Sequence, residues 1–397
     1  MQDFFDRDED FEELEPREDS LDKALGSAVF GSLSISPTDW TIETLHRQIG
    51  RTIELNPDFQ RRNVWSAKAK TSFIESLFLG VPIPQILLSA KEGSNKSFLV
   101  LDGKQRLLTI KEFLDGRFPD GKPFVLKNLR VLEELENLSW LDIKGSTDWE
   151  FELLNRTQRT AVIRGWSDER VLYEIFHRLN SGSVRLSPME LRMSLHPGPF
   201  LKFAVNWTEN VGPLHHLLSK TSPDPRMNDV ELVVRFLGFS SRKVPYSGDL
   251  KSFLDRTCVS LNQEFDSSLN ARVAQCEEIL DKMNRAIKLG REIFGSKRFC
   301  RKFTEEGYES RFNRAVFDVV VGALSKPDIY EWAEQNGKSF RLGFEEISLN
   351  EDFRRSVEST TKSLSATRTR FSLFYKKISL LSRLPIELPL LSDEPSN

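Results

Sequence analysis

The stretch SFLVLDGKQRLLTIKEFL, residues 97–114, decides how this chain is read. Phe98, Leu99, Val100 and Leu101 form an apolar run of strand length, with no alternation toward solvent. Asp102 and Gly103 then break the run. Beyond them Leu107, Ile110, Phe113 and Leu114 recur at helical spacing. A strand that turns straight into a helix leaves free backbone N–H groups at the helix start. There the helix dipole favours an anion. Arg106 adds a planar guanidinium fork suited to phosphate oxygens. The same residues also have a purely structural reading, with Asp102 as helix N-cap and Gln105 three residues later as its capping-box partner.

Upstream, a helix is expected from Thr41, with Ile42, Leu45 and Ile49 inward and Gly50 closing it. Arg51–Leu55 reads as a short strand. The loop Asn56–Trp65 is rich in hydrogen-bonding side chains and carries Gln60 and Arg61, with Phe59 and Trp65 as aromatic anchors. Trp65 fits a core role. Gln60-Arg61 echoes Gln105-Arg106, and two such pairs on loop edges suit a polyanion gripped from two sides. Ser66 caps a helix expected to point Ala69, Phe73, Ile74, Leu77 and Phe78 inward as far as Gly80. A strand resumes at Gln85–Ser89. Residues 1 to about 32 read as an acidic, disordered tail, with a covering arm over a basic groove as the alternative.

Downstream, Phe124–Leu126 suggests a strand and Val131–Leu138 a short helix. Arg156, Arg159 and Arg164 make the next stretch locally basic, which fits a solvated strand face better than a phosphate site. Ser167-Asp168 starts a helix carrying Val171, Leu172, Ile175, Phe176 and Leu179, with Glu174 and Arg178 paired along it. Ser187-Pro188-Met189-Glu190 has every mark of a helix start: a hydroxyl cap, proline in the first turn and a glutamate to close the capping box. Pro197, Gly198 and Pro199 mark a boundary near 200. The remainder is expected to be helical, at 229–239, 250–265, 271–294, 312–324 and 354–381.

The chain has 397 residues and a net charge of −3. Its first 22 residues hold eleven acids and two bases; taking their −9 from −3 leaves +6 on the rest. That excess permits a nucleic-acid or nucleotide partner. No apolar run approaches the roughly 18 residues of a membrane span, and the three cysteines lack metal spacing, so a cytoplasmic location is expected. The sequence contains no P-loop, no GxGxxG and no nucleophile elbow. His215-His216 lacks the partners of an HNH nuclease.

Three segments together resemble a known family: Pro57-Asp58-Phe59-Gln60-Arg61 with Val64-Trp65; Leu101-Asp102-Gly103-Lys104-Gln105-Arg106; and Ile175–Asn180 with Leu186-Ser187 and Glu190-Leu191-Arg192. In order and spacing they resemble the DGQQR-motif domain that forms the N-terminal half of GmrSD-type, modification-dependent restriction enzymes. The resemblance spans about residues 38–200, with Lys104 standing where the motif has glutamine. It implies a ParB/sulfiredoxin-like fold for the α+β domain at 33–200; the residues themselves give a mostly α-helical domain at 201–383 and an extended tail at 384–397. It further implies a nucleotide site at Asp102, Gly103, Lys104, Gln105 and Arg106. Gln60 and Arg61 would line that site, with Arg178 and Asn180 nearby.

The expected ligand is an NTP with Mg²⁺. Asp102 would hold the metal or orient a water, and Gln105 would place that water. If the protein is an enzyme, it is then an NTPase in DNA defence, with DNA and an effector subunit as partners. The alternatives are a non-catalytic ParB-like DNA-binding or regulatory module, and an interaction subunit for a separate effector. The nuclease half of the family finds no counterpart in residues 201–397.

Overall fold

The computed structural model describes residues 33–55, 65–91, 94–166, 171–172, 175, 187–358 and 361–392. Its two compact units meet in sequence at Pro197-Gly198, and Pro225–Met227 belong with the first. The chain is α+β. A mixed sheet lies in the N-terminal unit, and the C-terminal unit is mostly helical.

In the N-terminal unit, β1 (Ser34–Thr41) leads into α1 (Ile42–Gln48), whose cap is the Thr41 side chain accepting from the Thr44 N–H. β2 (Ile53–Glu54), α2 (Ala67–Leu79), β3 (Ile86–Lys91), β4 (Ser94–Asp102) and α3 (Lys104–Leu114) follow. Two short helices, α4 (Trp140–Ile143) and α5 (Thr147–Asn155), lead to β5 (Thr157–Arg164), and α6 (Pro188–Leu195) comes last. The strand order is β1-β5-β3-β4-β2. β1 runs antiparallel to β5, β5 parallel to β3, β3 antiparallel to β4, and β4 parallel to β2.

Both faces of the sheet are covered, which is why Phe98–Leu101 shows no alternation. Phe98 and Val100 pack with Phe73, Leu77, Leu107 and Phe113 on one face. Leu101 packs with Ala161, Ile163, Val171 and Leu191 on the other.

Several local expectations fail here for identifiable reasons. Ala69 is exposed, and its neighbour Lys70 is buried instead, paired with Glu112 of α3. Phe124–Leu126 forms no strand; Val125 makes only an isolated bridge to Ser139. Val131–Leu138 contains a single 3₁₀ turn, Glu133–Leu135, because Glu75 accepts the backbone N–H groups of Arg130, Val131 and Leu132. The helix expected from Ser167 lies largely outside the described residues. Arg156 is not a free surface cation. It donates to the Leu77 and Phe78 carbonyls and so closes the end of α2.

The C-terminal unit contains α7 (Pro199–Thr208), α8 (Pro213–Leu217), α9 (Asn228–Ser241), α10 (Leu250–Ser267) and α11 (Leu269–Phe294). A hairpin of β6 (Arg301–Thr304) and β7 (Gly307–Phe312) interrupts the helices. α12 (Arg314–Leu324), α13 (Pro327–Gln335), α14 (Gly337–Ser348), α15 (Glu351–Glu358) and α16 (Leu364–Ser382) complete the unit. The single helix expected over 354–381 is two, since Ser363 accepts from the Ala366 N–H and starts α16 anew. Phe294, Phe340, Phe344, Phe353 and Phe374 interlock in the core, mostly edge to face. Arg235 of α9 grips Asp318 of α12 through two 2.6 Å hydrogen bonds, with Arg370 of α16 at 3.6 Å.

Candidate functional site

Gly103 is the hinge between β4 and α3. It occupies the N-cap position at φ +93°, with no side-chain cap bond. Asp102 is therefore not the cap expected from sequence. Its carboxylate is drawn one helical turn on, to Arg106, at 2.8 Å. A Cβ at Gly103 would stand 2.9 Å from Ile86 Cγ1 of β3 and 3.3 Å from the Arg106 guanidinium. Glycine is thus required both by the left-handed backbone and by the close approach of the neighbouring strand.

Arg106 organises this corner. Besides Asp102, its guanidinium donates to the Pro84 and Gln85 carbonyls, fixing the turn that leads into β3. Burial lowers its pKa from the ordinary value, against the opposing pull of the Asp102 charge. The fork proposed for phosphate oxygens is thus engaged within the fold. Asp102 is the more open partner, with its side chain 26% exposed against 8% for Arg106.

Lys104 turns the other way. Its amine reaches Glu190 at 3.3 Å, and both side chains are buried. Burial pushes the Lys104 pKa down, with Arg226 adding to the effect and Glu190 opposing it. Glu190 also accepts the Ser187 N–H while Ser187 accepts the Glu190 N–H, so the capping box read from sequence is formed. One carboxylate therefore closes the start of α6 and holds the first side chain of α3. Gln105 Oε1 accepts from the Trp65 N–H at 3.4 Å, which places Trp65 beside the start of α3. Trp65 packs edge to face on Phe73, as its core reading requires.

Asp102, Gly103, Lys104, Gln105 and Arg106 are thus gathered around one strand-to-helix corner. Gln60, Arg61, Arg178 and Asn180 lie outside the described residues. The Lys104–Glu190 contact was missed from sequence, because Glu190 carried only a capping signal. Elsewhere, His215 Nδ1 meets the Gly212 N–H at 3.2 Å and Nε2 faces Asp229 at 3.1 Å, which organises a buried turn. Among the described residues no group of three or more His, Cys, Asp or Glu could hold a metal. No described helix is long and apolar enough to cross a membrane.

The corner lies within a recognised domain: residues 42–197 match the family model for the GmrSD restriction endonuclease, N-terminal domain. The matched stretch of the N-terminal unit is similar to this domain. The bounds of the match take in every residue of the corner. No curated protein and no solved structure matched the chain.

Proposed function

We propose that this GmrSD-type chain binds a nucleoside triphosphate at the Asp102–Arg106 corner and acts as a nucleotide-dependent component of DNA defence. The observation that carries the reading is the start of α3. There a partly exposed carboxylate, fixed by a buried arginine, stands at the N-terminal end of an eleven-residue helix, whose dipole favours an anion. Phosphate oxygens would meet the positive end of the α3 dipole beside Asp102. Arg106 serves as a positioning residue: it aims Asp102 and holds the Pro84–Gln85 turn. Asp102 is a hard oxygen donor, so it fits Mg²⁺, which is commonly held by one or two carboxylates together with substrate phosphates. The metal would supply charge neutralisation on those phosphates. Gln105, on the first turn, would orient the attacking water in a hydrolytic version of this site.

The engagement of Arg106, Lys104 and Gln105 inside the domain favours a second reading, in which the same site senses nucleotide without hydrolysing it. One experiment separates the two. NTP binding and phosphate release are measured for the wild type and for Asp102→Asn, which preserves size. Binding and turnover that both depend on Asp102 support the enzyme. Binding without turnover supports the sensor. Turnover undiminished in the variant removes Asp102 from the chemistry, and absence of any nucleotide binding removes the site.

A further inference from the structure

The last long helix, α16, stands apart from the other exposed helices in its charge. Elsewhere a surface cation has an acid one turn away on its own helix, as in the pairs Glu43–Arg47, Glu278–Lys282 and Arg341–Glu345. Residues 359–386, which contain α16, hold six bases and no acid. At the chain's own frequency of 59 acids in 397 residues, those 28 positions would hold about four.

Packing sorts the six bases. Arg370 is buried 3.6 Å from Asp318, and Lys377 pairs with Glu346 of α14 at 2.6 Å. Lys362 precedes the helix. Arg368, Lys376 and Arg383 are exposed, with Arg383 as the C-cap. The opposite side of the helix buries Phe371, Phe374, Tyr375 and Ile378, which holds the outer face in place. Ser365, Ser372 and Ser379 recur every seven residues along that outer face. Ser372 lies four residues before Lys376, and Ser379 four before Arg383, where the other helices place an acid. Neither Lys376 nor Arg383 has an ion-pair partner among the described residues.

Lysine, arginine and serine are all side chains that hold phosphate oxygens. From Arg368 to Arg383 the face extends about 22 Å at the rise of an α-helix. Over such a span duplex DNA presents a dense row of phosphates, about one charge per 1.7 Å of axis. Single strands are held by aromatic stacking as well as by charge, and the rings of α16 face inward. An interfacial membrane helix needs a continuous apolar face, whereas the exposed large apolar groups of α16 are Leu380 and Leu381 at one end.

We propose that the outer face of α16 docks on the phosphate backbone of duplex DNA. Arg368, Lys376 and Arg383 contact phosphates, and the serines between them donate hydrogen bonds to the same strand. The contact is indifferent to base sequence, because phosphates carry none. It gives the DNA-defence reading a place on the chain, but it rests on residues of the C-terminal unit alone and needs no nucleotide.

The test is fluorescence anisotropy of the full chain with a labelled duplex, without nucleotide, at about 50 to 200 mM salt. Binding should be saturable, equal for two unrelated sequences, and weaker as salt rises. Lys376→Gln and Arg383→Gln should each weaken it about fivefold, the scale of one exposed ion pair. Each should also flatten the slope of log affinity against log salt by about 0.9. Ser372→Glu should weaken binding at least tenfold, since it offers Lys376 an internal partner and repels phosphate. That variant should melt no lower than the wild type, because a glutamate four residues before a lysine favours the helix. Lys282→Gln, on another helix, should bind like the wild type. The proposal is overturned if no duplex binds at the lowest salt, or if the α16 variants bind like the wild type. It is also overturned if Lys282→Gln loses as much as they do, or if a single strand or a phosphatidylserine vesicle binds more tightly than the duplex. Failure of nucleotide binding at Asp102 would leave every one of these outcomes unchanged.

Discussion

Lys104 shows how a single substitution within a motif changes what the motif does. A glutamine there would present a neutral amide; lysine brings a charge that has to be matched where water is excluded. Glu190 matches it, 86 positions along the chain. Removing one partner of a buried pair costs more than removing both, because the survivor keeps its desolvation penalty. Lys104→Met is therefore expected to destabilise the protein by about 3 kcal/mol. The double variant Lys104→Met/Glu190→Gln should recover most of that loss, since glutamine can still close the capping box with Ser187. Urea denaturation of the three proteins checks this, and equal losses in the single and double variants would refute the pairing. The pair also sets a pH dependence. Burial lowers the folded-state pKa of Lys104 below 10.5, so the unfolded chain holds that proton more tightly. Stability should then rise with pH in the window between the folded value and 10.5. The rise should be shallower in the double variant than in the wild type. The length and chemistry of Lys104 were legible in the sequence, but its partner was not, because no local pattern links positions so far apart.

At the scale of elements, the readable segments were those whose burial leaves a periodic trace or whose ends carry their own caps. β4, apolar on both faces, and the helices started by Ser66 and Ser187 are of this kind. β1 left no such trace: Ser34–Thr41 is a largely exposed edge strand, defined by its pairing with β5. The β6–β7 hairpin was hidden in the same way, since RKFTEEGYESRF is mostly charged and polar. The start of α3 was misassigned at one residue, because Asp102 is a good cap in isolation and Arg106 competes for its carboxylate. This makes Gly103 the more demanding position. Gly103→Ala should cost about 2–4 kcal/mol, combining left-handed strain with overpacking against Ile86. Gly116 is the control: it also has positive φ, +80°, but nothing lies within 4 Å of an added Cβ. Gly116→Ala should cost about 1–2 kcal/mol from backbone strain alone. Chemical denaturation of the two variants isolates the strand contact, and equal losses would mean that Ile86 yields without cost.

Across the whole molecule, composition announced a division of charge more clearly than a division of chemistry. The buried strand at Phe98–Leu101 and the helical C-terminal unit followed from hydrophobic spacing, and the GmrSD-type resemblance from three separated motifs. Spacing in the sequence could not show the grouping of Arg235, Asp318 and Arg370, because α9, α12 and α16 come together only by helix packing. Charge, however, acts without a defined contact. The first 22 residues carry −9, and the remaining chain carries +6. DNA is a polyanion, and each phosphate contact that a protein makes to it releases counterions. An acidic segment on the same chain raises the local negative potential and competes for the same cations, over a screening length of about 8 Å at physiological salt. Deleting Met1–Asp22 is therefore expected to tighten binding to duplex DNA. The gain should be larger at 50 than at 200 mM salt, approximate conditions that bracket strong and weak screening. Fluorescence anisotropy with a labelled duplex at both salt concentrations measures it directly. A gain that vanishes as salt rises identifies electrostatic competition by the acidic segment. Unchanged affinity at both concentrations would show that the +6 body does not engage DNA through the charges that this segment can screen.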